Sequence, residues 1–244
     1  MKTNCLAGTG VFFVIIILLS CEKTSTGSND ILQSSTIEDE SASFDITKDL
    51  IAWYPFSKNL VDYSNHGHNG TKVGTVRFGN DRLGNPSSAL KLGSGYVVTD
   101  NFFNFQRTDS FTVTTWFKIT SNPPAGRLIS NECPEGNFRI ASSGITSGVY
   151  AVYFGAYYIF DTITVNRWYY LTYTYKKKNV KLYRDGVLKY TGRDNGTDVI
   201  TNCSPFTIGS KASSGSDFWQ GAIDELRIYS RPLTAKQINY LYTH

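Results

Sequence analysis

Histidine and cysteine are both scarce in this chain. Its 244 residues hold three His and four Cys. The histidines stand at His66, His68 and the terminal His244, which leaves little material for a Ser-His-Asp triad. Gly209-Ser210 also lacks the pattern of a nucleophile elbow. His66 and His68 form a His-x-His pair, but no third ligand stands at zinc spacing, so both read as turn residues. No apolar run reaches the roughly 20 residues that a membrane-spanning helix needs. There is no internal repeat and no nucleic-acid-binding motif, so nucleic acid is not expected as a partner.

The apolar run from Val11 to Leu19 follows Lys2 and has the length of a secretory h-region. Leu18-Leu19-Ser20-Cys21 then resembles the lipobox of bacterial lipoproteins. On that resemblance residues 1–20 are a lipoprotein signal peptide, and Cys21 is the lipidated first residue of the mature chain. Membrane attachment would be through this lipid only. Glu22 does not resemble an inner-membrane retention signal, which favours the outer membrane, possibly its exposed surface. Residues 21–47 are rich in Ser, Thr, Asp and Glu and too poor in apolar residues to order themselves, so they read as a flexible tether. The whole chain carries a formal +4. Setting aside the acidic tether leaves the remainder more basic, a pointer to acidic partners. Lys176-Lys177-Lys178 reads as a solvated hairpin turn.

From residue 48 to 244 the signals are those of strands: short aromatic and β-branched runs separated by Gly, Asn, Ser and Asp. Phe111, Val113 and Phe117 alternate with Thr112, Thr114 and Trp116. Asp185-Gly186 suits a tight hairpin that needs positive φ. The run from Tyr169 to Tyr175 suits a strand covered on one face and half exposed on the other. Only the end reads helical, where Thr234-Ala235-Lys236-Gln237 forms a capping box and Ile238 and Leu241 give one apolar side. Many short strands and one short helix predict a single all-β sandwich or barrel.

Two stretches at opposite ends of this region carry more. Ala52-Trp53-Tyr54-Pro55-Phe56 leads into Leu60-Val61-Asp62-Tyr63-Ser64-Asn65-His66-Gly67-His68-Asn69-Gly70-Thr71. Near the end stands Gly221-Ala222-Ile223-Asp224-Glu225-Leu226-Arg227-Ile228-Tyr229. Strict alternation puts Ala222, Asp224, Leu226 and Ile228 on one face, so Asp224 is expected to point toward the core. A carboxylate there needs a metal ion, an Arg or backbone N–H donors.

With Ser110–Lys118, Arg167–Tyr173, Leu182–Leu188 and Phe206–Ser210 in order between them, these stretches resemble a laminin-G-like domain of the concanavalin A-like lectin/glucanase superfamily. The resemblance implies a two-sheet antiparallel jelly roll. It also implies a structural Ca2+ held by Asp62 and Asp224, with Asn65 as a further ligand. The alternative is that Asp62 and Asn65 cap a turn and Asp224 accepts hydrogen bonds from the loop. Laminarinase-type relatives place Glu-x-Asp-x-Glu on one strand, and nothing here matches it, so no glycosidase is expected.

Binding is the better class. Sugars stack on exposed aromatic rings while polar groups read their hydroxyls. Tyr157, Tyr158 and Trp219 are the expected platforms, with Arg139 as a charged partner; Trp53, Trp116 and Trp168 are expected in the core. The expected partner is a glycan or a glycoprotein, captured at the cell envelope. The alternative is a non-catalytic protein–protein or structural subunit, and a glycoside hydrolase stands third. Cys133 and Cys203 sit in an export-compatible chain and could be bridged, which would contribute about 4 kcal/mol. Sequence leaves that pairing open.

Overall fold

The computed structural model describes residues 44–121, 126–132, 138–142, 149–153, 157–196, 204–212 and 214–244; for 149–153 and 157–162 it describes the backbone only. Within the described residues, thirteen strands and one helix follow in chain order. They are β1 Leu50–Tyr54, β2 Thr71–Gly79, β3 Ala89–Val98, β4 Ser110–Ile119, β5 Arg127–Ser130, β6 Arg139–Ser142 and β7 Val149–Tyr153. Then come β8 Tyr157–Thr162, β9 Trp168–Lys176, β10 Asn179–Arg184, β11 Val187–Arg193, β12 Thr207–Ile208, β13 Gly221–Tyr229 and α1 Ala235–Thr243. Among the described residues, no helix is long and apolar enough to cross a membrane.

The strands join in the order β11-β10-β9-β4-β13-β3-β12-β5-β6-β7-β8, with β1 added to β13 and β2 to β3. Every named pairing is antiparallel. The sheet curls, because one apolar cluster draws on strands from both halves of that path: Val180 and Leu182 (β10), Phe111, Val113 and Phe117 (β4), Ile129 (β5) and Ile140 (β6). This is the jelly roll that the sequence predicts. The hairpin turns follow local chemistry. Asp185 and Gly186 both adopt positive φ (52° and 74°) between β10 and β11, and Lys177 and Lys178 do so between β9 and β10.

Three expectations are corrected here. Strict alternation fails in β13, where the register shifts between Asp224 and Arg227 and Glu225 takes φ 53°. This bulge turns the strand over. Ile223, Leu226 and Ile228 face the main core, whereas Asp224 stands on the other face opposite Trp116. Second, β9 is buried on both faces rather than half exposed. Helix α1 packs on its outer side, where Ile238 and Leu241 join Tyr170, Tyr183, Tyr229 and Leu233 in a second cluster. The helix starts at the expected capping box, Thr234 with Gln237. Third, the most deeply buried tryptophan is Trp219, not one of the three expected in the core. Trp219 is 1% exposed and meets Phe117 edge-on at 5.8 Å. Trp53 and Trp116 are partly buried and pack against the second cluster, as core residues would, whereas Trp168 is partly buried beside the groove.

Candidate functional site: an aromatic groove on the outer face

The outer face of the sheet is set by strand parity. On β4, Phe117 and Ile119 enter the core, so Trp116 and Lys118 point outward. On β9, Tyr169 enters the core, so Trp168 and Tyr170 point outward. The ladder pairs Trp116 with Tyr170 and Lys118 with Trp168. Helix α1 covers Tyr170, and its Tyr242 reaches Trp116, but the helix ends beside Trp168. A groove of about 420 Å³ remains, lined by Arg82, Leu83, Trp116, Trp168, Tyr242, Thr243 and His244.

Its residues are held differently. The Tyr242 ring stacks on Trp116 at 5.5 Å, and the Arg82 guanidinium lies 5.0 Å from the same ring. Trp116 is thus fully engaged by protein. Among the described residues, Trp168 meets the Lys118 ammonium, 4.9 Å above its ring, and no stacked aromatic, which leaves it the less covered aromatic surface of the groove. Leu83 stands on the rim, 71% exposed.

Arg82 is positioned by two anchors and an ordered loop. Its Nη1 donates to Asp224 Oδ2 at 2.9 Å, and its Nη2 donates to the His244 carbonyl at 3.0 Å. The loop that presents it is tied by Asp81, whose carboxylate accepts from the N–H groups of Leu83 and Asn85. Burial, aided by the nearby charge of Glu225, pushes the Asp224 carboxyl up to about 7 against the opposing pull of Arg82. Of the three partners that sequence allows for Asp224, the structure supplies the Arg.

Asp62 lies in a different setting. Oδ1 accepts from the N–H groups of Trp53 and Ser64, both at 2.9 Å. Oδ2 accepts from the Ser64 hydroxyl at 2.8 Å and the His68 N–H at 3.1 Å. Burial would raise its pKa, but these four donors outweigh it and hold the carboxyl below its ordinary value. Asn65 adopts φ 71°, a turn conformation. The donor set therefore does not fit one calcium ion, since both oxygens of Asp62 are occupied by protein donors and Asp224 is held by a guanidinium. Among the described residues, no group of three or more His, Cys, Asp or Glu is placed to hold a metal. His68 Nδ1 lies 2.9 Å from Asp100, and its ring stacks on Phe102 at 4.3 Å.

The other expected ligand contacts fall as follows. Trp219, buried, is not a platform. Arg139 forms an ion pair with Glu132, which also accepts from Arg127 Nε at 2.8 Å and the Ser130 hydroxyl at 3.0 Å. Glu132 is 3% exposed. Burial would raise its pKa, yet the two arginines hold it below its ordinary value. The register aligns Arg139 with Tyr153 and Tyr153 with Tyr157, whereas Tyr158 aligns with Val152 and so with core Ile140. Cys21, Cys133 and Cys203 lie outside the described residues. Sequence reasoning missed the groove because strand-embedded Trp was taken as core; the alternation of Phe117 and Trp116 was the available signal.

The model of the concanavalin A-like lectin/glucanases superfamily, laminin-G type, matches residues 91–239, more than half of the chain. The chain belongs to this superfamily. Comparison of its sequence with curated proteins gives no match. Among solved structures, the superfamily fold recurs in Domain 4 of AbnA, a GH43 extracellular arabinanase from Geobacillus stearothermophilus, in complex with arabinotriose. That match has TM-score 0.63 and 24% identity, over 80% of this chain and 98% of that one. It recurs in a botulinum neurotoxin type C structure whose cell entry depends on interaction with two ganglioside molecules (TM-score 0.63, 22% identity, 81% of this chain). A third is the binding domain of botulinum neurotoxin DC in complex with rat synaptotagmin II (TM-score 0.62, 18% identity, 82% of this chain). This chain spans about half of each toxin chain, 51% and 52%. At these identities the likeness is one of fold.

Proposed function

We propose that this superfamily member is a non-catalytic carbohydrate-binding protein that holds its ligand in the groove between Trp168, Tyr242 and Arg82. The half-buried Trp168 carries the reading. It is a large ring on the outer face, left uncovered by the end of α1, beside a fixed guanidinium. A sugar ring stacks on such a surface while Arg82 and the Thr243 hydroxyl meet its hydroxyls. The likeness to an arabinanase domain crystallised with arabinotriose and to a ganglioside-dependent toxin supports the same class of ligand. The groove's described lining has no Asp or Glu side chain, whereas most glycoside hydrolases need two carboxylate side chains flanking the scissile bond. The protein would display this groove at the cell envelope, tethered through a lipid on Cys21.

The test is a glycan-array screen of residues 45–244 followed by titration of the best neutral oligosaccharide. Trp168→Ala should abolish binding while the melting temperature stays within a few degrees. Retained binding in that variant would sink this site. Labelling with a radioactive fatty acid, lost in Cys21→Ser, tests the tether.

A protein-partner reading draws on a separate observation. Val187, Leu188 and Tyr190 are 55%, 46% and 38% exposed on β11, which ends the strand order. An apolar edge strand of this kind can take a partner's strand. Binding of a protein ligand that survives Trp168→Ala but fails in Leu188→Lys would favour it.

A further inference from the structure

The strand register sets five residues in one row across the outer face. Arg77 (β2) pairs with Lys91 (β3), Lys91 with Ala222 (β13), Ala222 with Lys118 (β4), and Lys118 with Trp168 (β9). Directly paired residues of antiparallel strands share a face. Burial agrees: Leu90 and Leu92 flank Lys91 from the core side, as do Val76 and Phe78 for Arg77. The row begins in a cleft of about 390 Å³ bounded by Thr75, Arg77, Lys91 and Ser94, and ends in the Trp168 groove.

Like charges directly opposite each other on a sheet are destabilising. Arg77 and Lys91 stand so, both exposed. Among the described residues, no carboxylate lies within ion-pair distance of Arg77, Lys91 or Lys118. Lys72 on the same strand covers the Phe78 ring, 4.9 Å away, whereas among the described residues neither Arg77 nor Lys91 lies over an aromatic ring. Ala222, the smallest member of the row, leaves no long side chain standing between the two lysines. With strands about 4.8 Å apart, Arg77 lies roughly 14 Å from Lys118 and roughly 19 Å from Trp168.

We propose that this row is an extended subsite for an acidic polysaccharide, with the carboxylate or sulfate groups of successive sugars over Arg77, Lys91 and Lys118 and one sugar ring on Trp168. It rests on the reading of the groove as a sugar site and names the class of sugar. Because Arg77 and Lys91 are solvent-exposed, the added affinity is screened by salt. It also requires a chain long enough to reach from Trp168 to Arg77.

The experiment is calorimetric titration of residues 45–244 with four probes. These are an oligogalacturonate, a chondroitin sulfate oligosaccharide, an uncharged arabino-oligosaccharide, and vesicles containing phosphatidylglycerol. One or both acidic oligosaccharides should bind at least tenfold more tightly than the neutral one at low salt, and the two arms separate carboxylate from sulfate. Arg77→Gln/Lys91→Gln should lose that tenfold gain, keep neutral-sugar binding and melt no lower than the parent. Trp168→Ala should lose all sugars. Equal affinity for acidic and neutral sugars overturns the acidic subsite and leaves the groove reading intact. No sugar binding at all overturns both. Vesicle binding that depends on Arg77 and Lys91, without acidic-sugar binding, assigns the row to a membrane surface instead.

Discussion

Arg82 reaches across from the β2–β3 loop to hold the carboxylate of Asp224 at 2.9 Å, while its guanidinium lies over Trp116. One ion pair thus links a buried strand position to the wall of the aromatic groove. The pair exists because the bulge at Glu225 turns Asp224 outward, where Arg82, also anchored on the His244 carbonyl, meets it.

That geometry makes stability depend on pH through Asp224. Its folded pKa, pushed up to about 7 by burial, lies above the ordinary 3.8. The folded state therefore binds more protons than the unfolded chain between these values, and stability falls as pH rises from about 4 to 7. Asp224→Asn should remove this part of the slope. Urea unfolding of both proteins at pH 4.5, 6 and 8 checks it; parallel pH profiles would contradict the assignment.

Asp62 ties Trp53, Ser64 and His68 together, so Asp62→Ala leaves three backbone donors without their acceptor. A loss of about 2–3 kcal/mol is expected. With its pKa depressed, Asp62 contributes stability that is full above the unfolded value and is lost as pH falls below about 4. Because protein donors fill its oxygens, a chelator should leave the melting temperature of the parent unchanged. A calcium-dependent shift of several degrees would restore the metal reading.

Glu132→Gln leaves Arg127 and Arg139 without their shared buried counter-charge. Breaking such a pair is expected to cost about 3 kcal/mol. Its pKa is depressed too, so the parent's advantage over the variant should shrink as pH falls through the carboxylate range. Denaturant midpoints at pH 3.5 and 7 measure this.

The two tryptophan classes should separate cleanly. Trp219→Ala opens a cavity beside Phe117 in the main core and should cost about 3–5 kcal/mol. Trp168→Ala should cost much less and act on binding. Thermal melts of both variants, set beside sugar titrations, decide it. A Trp168 variant as unstable as the Trp219 variant would mark Trp168 as core.

Much of this was legible in the sequence for local reasons. Thr234 and Gln237 meet within one helical turn, and Asp185-Gly186 needs only its own backbone freedom to close a hairpin. Phe111, Val113 and Phe117 advertise a core face by alternation alone. The site was less legible. Alternation assigns two faces to a strand but does not say which elements cover each face. Trp168 therefore reads as core until α1 is seen to stop beside it. Trp219, next to a polar loop, read as exposed until Phe117 is seen against it.

The sequence by itself determined the all-β class, the hairpin turns, the C-terminal helix and the superfamily, since each rests on neighbours in the chain or on order along it. Only the tertiary structure decided the direction of Asp224, which a one-residue bulge reverses, and the partner that meets it, Arg82, 142 residues away. The alignment of Arg77, Lys91, Lys118 and Trp168 was likewise decided there, because register across five strands is a property of their pairing and not of any one segment.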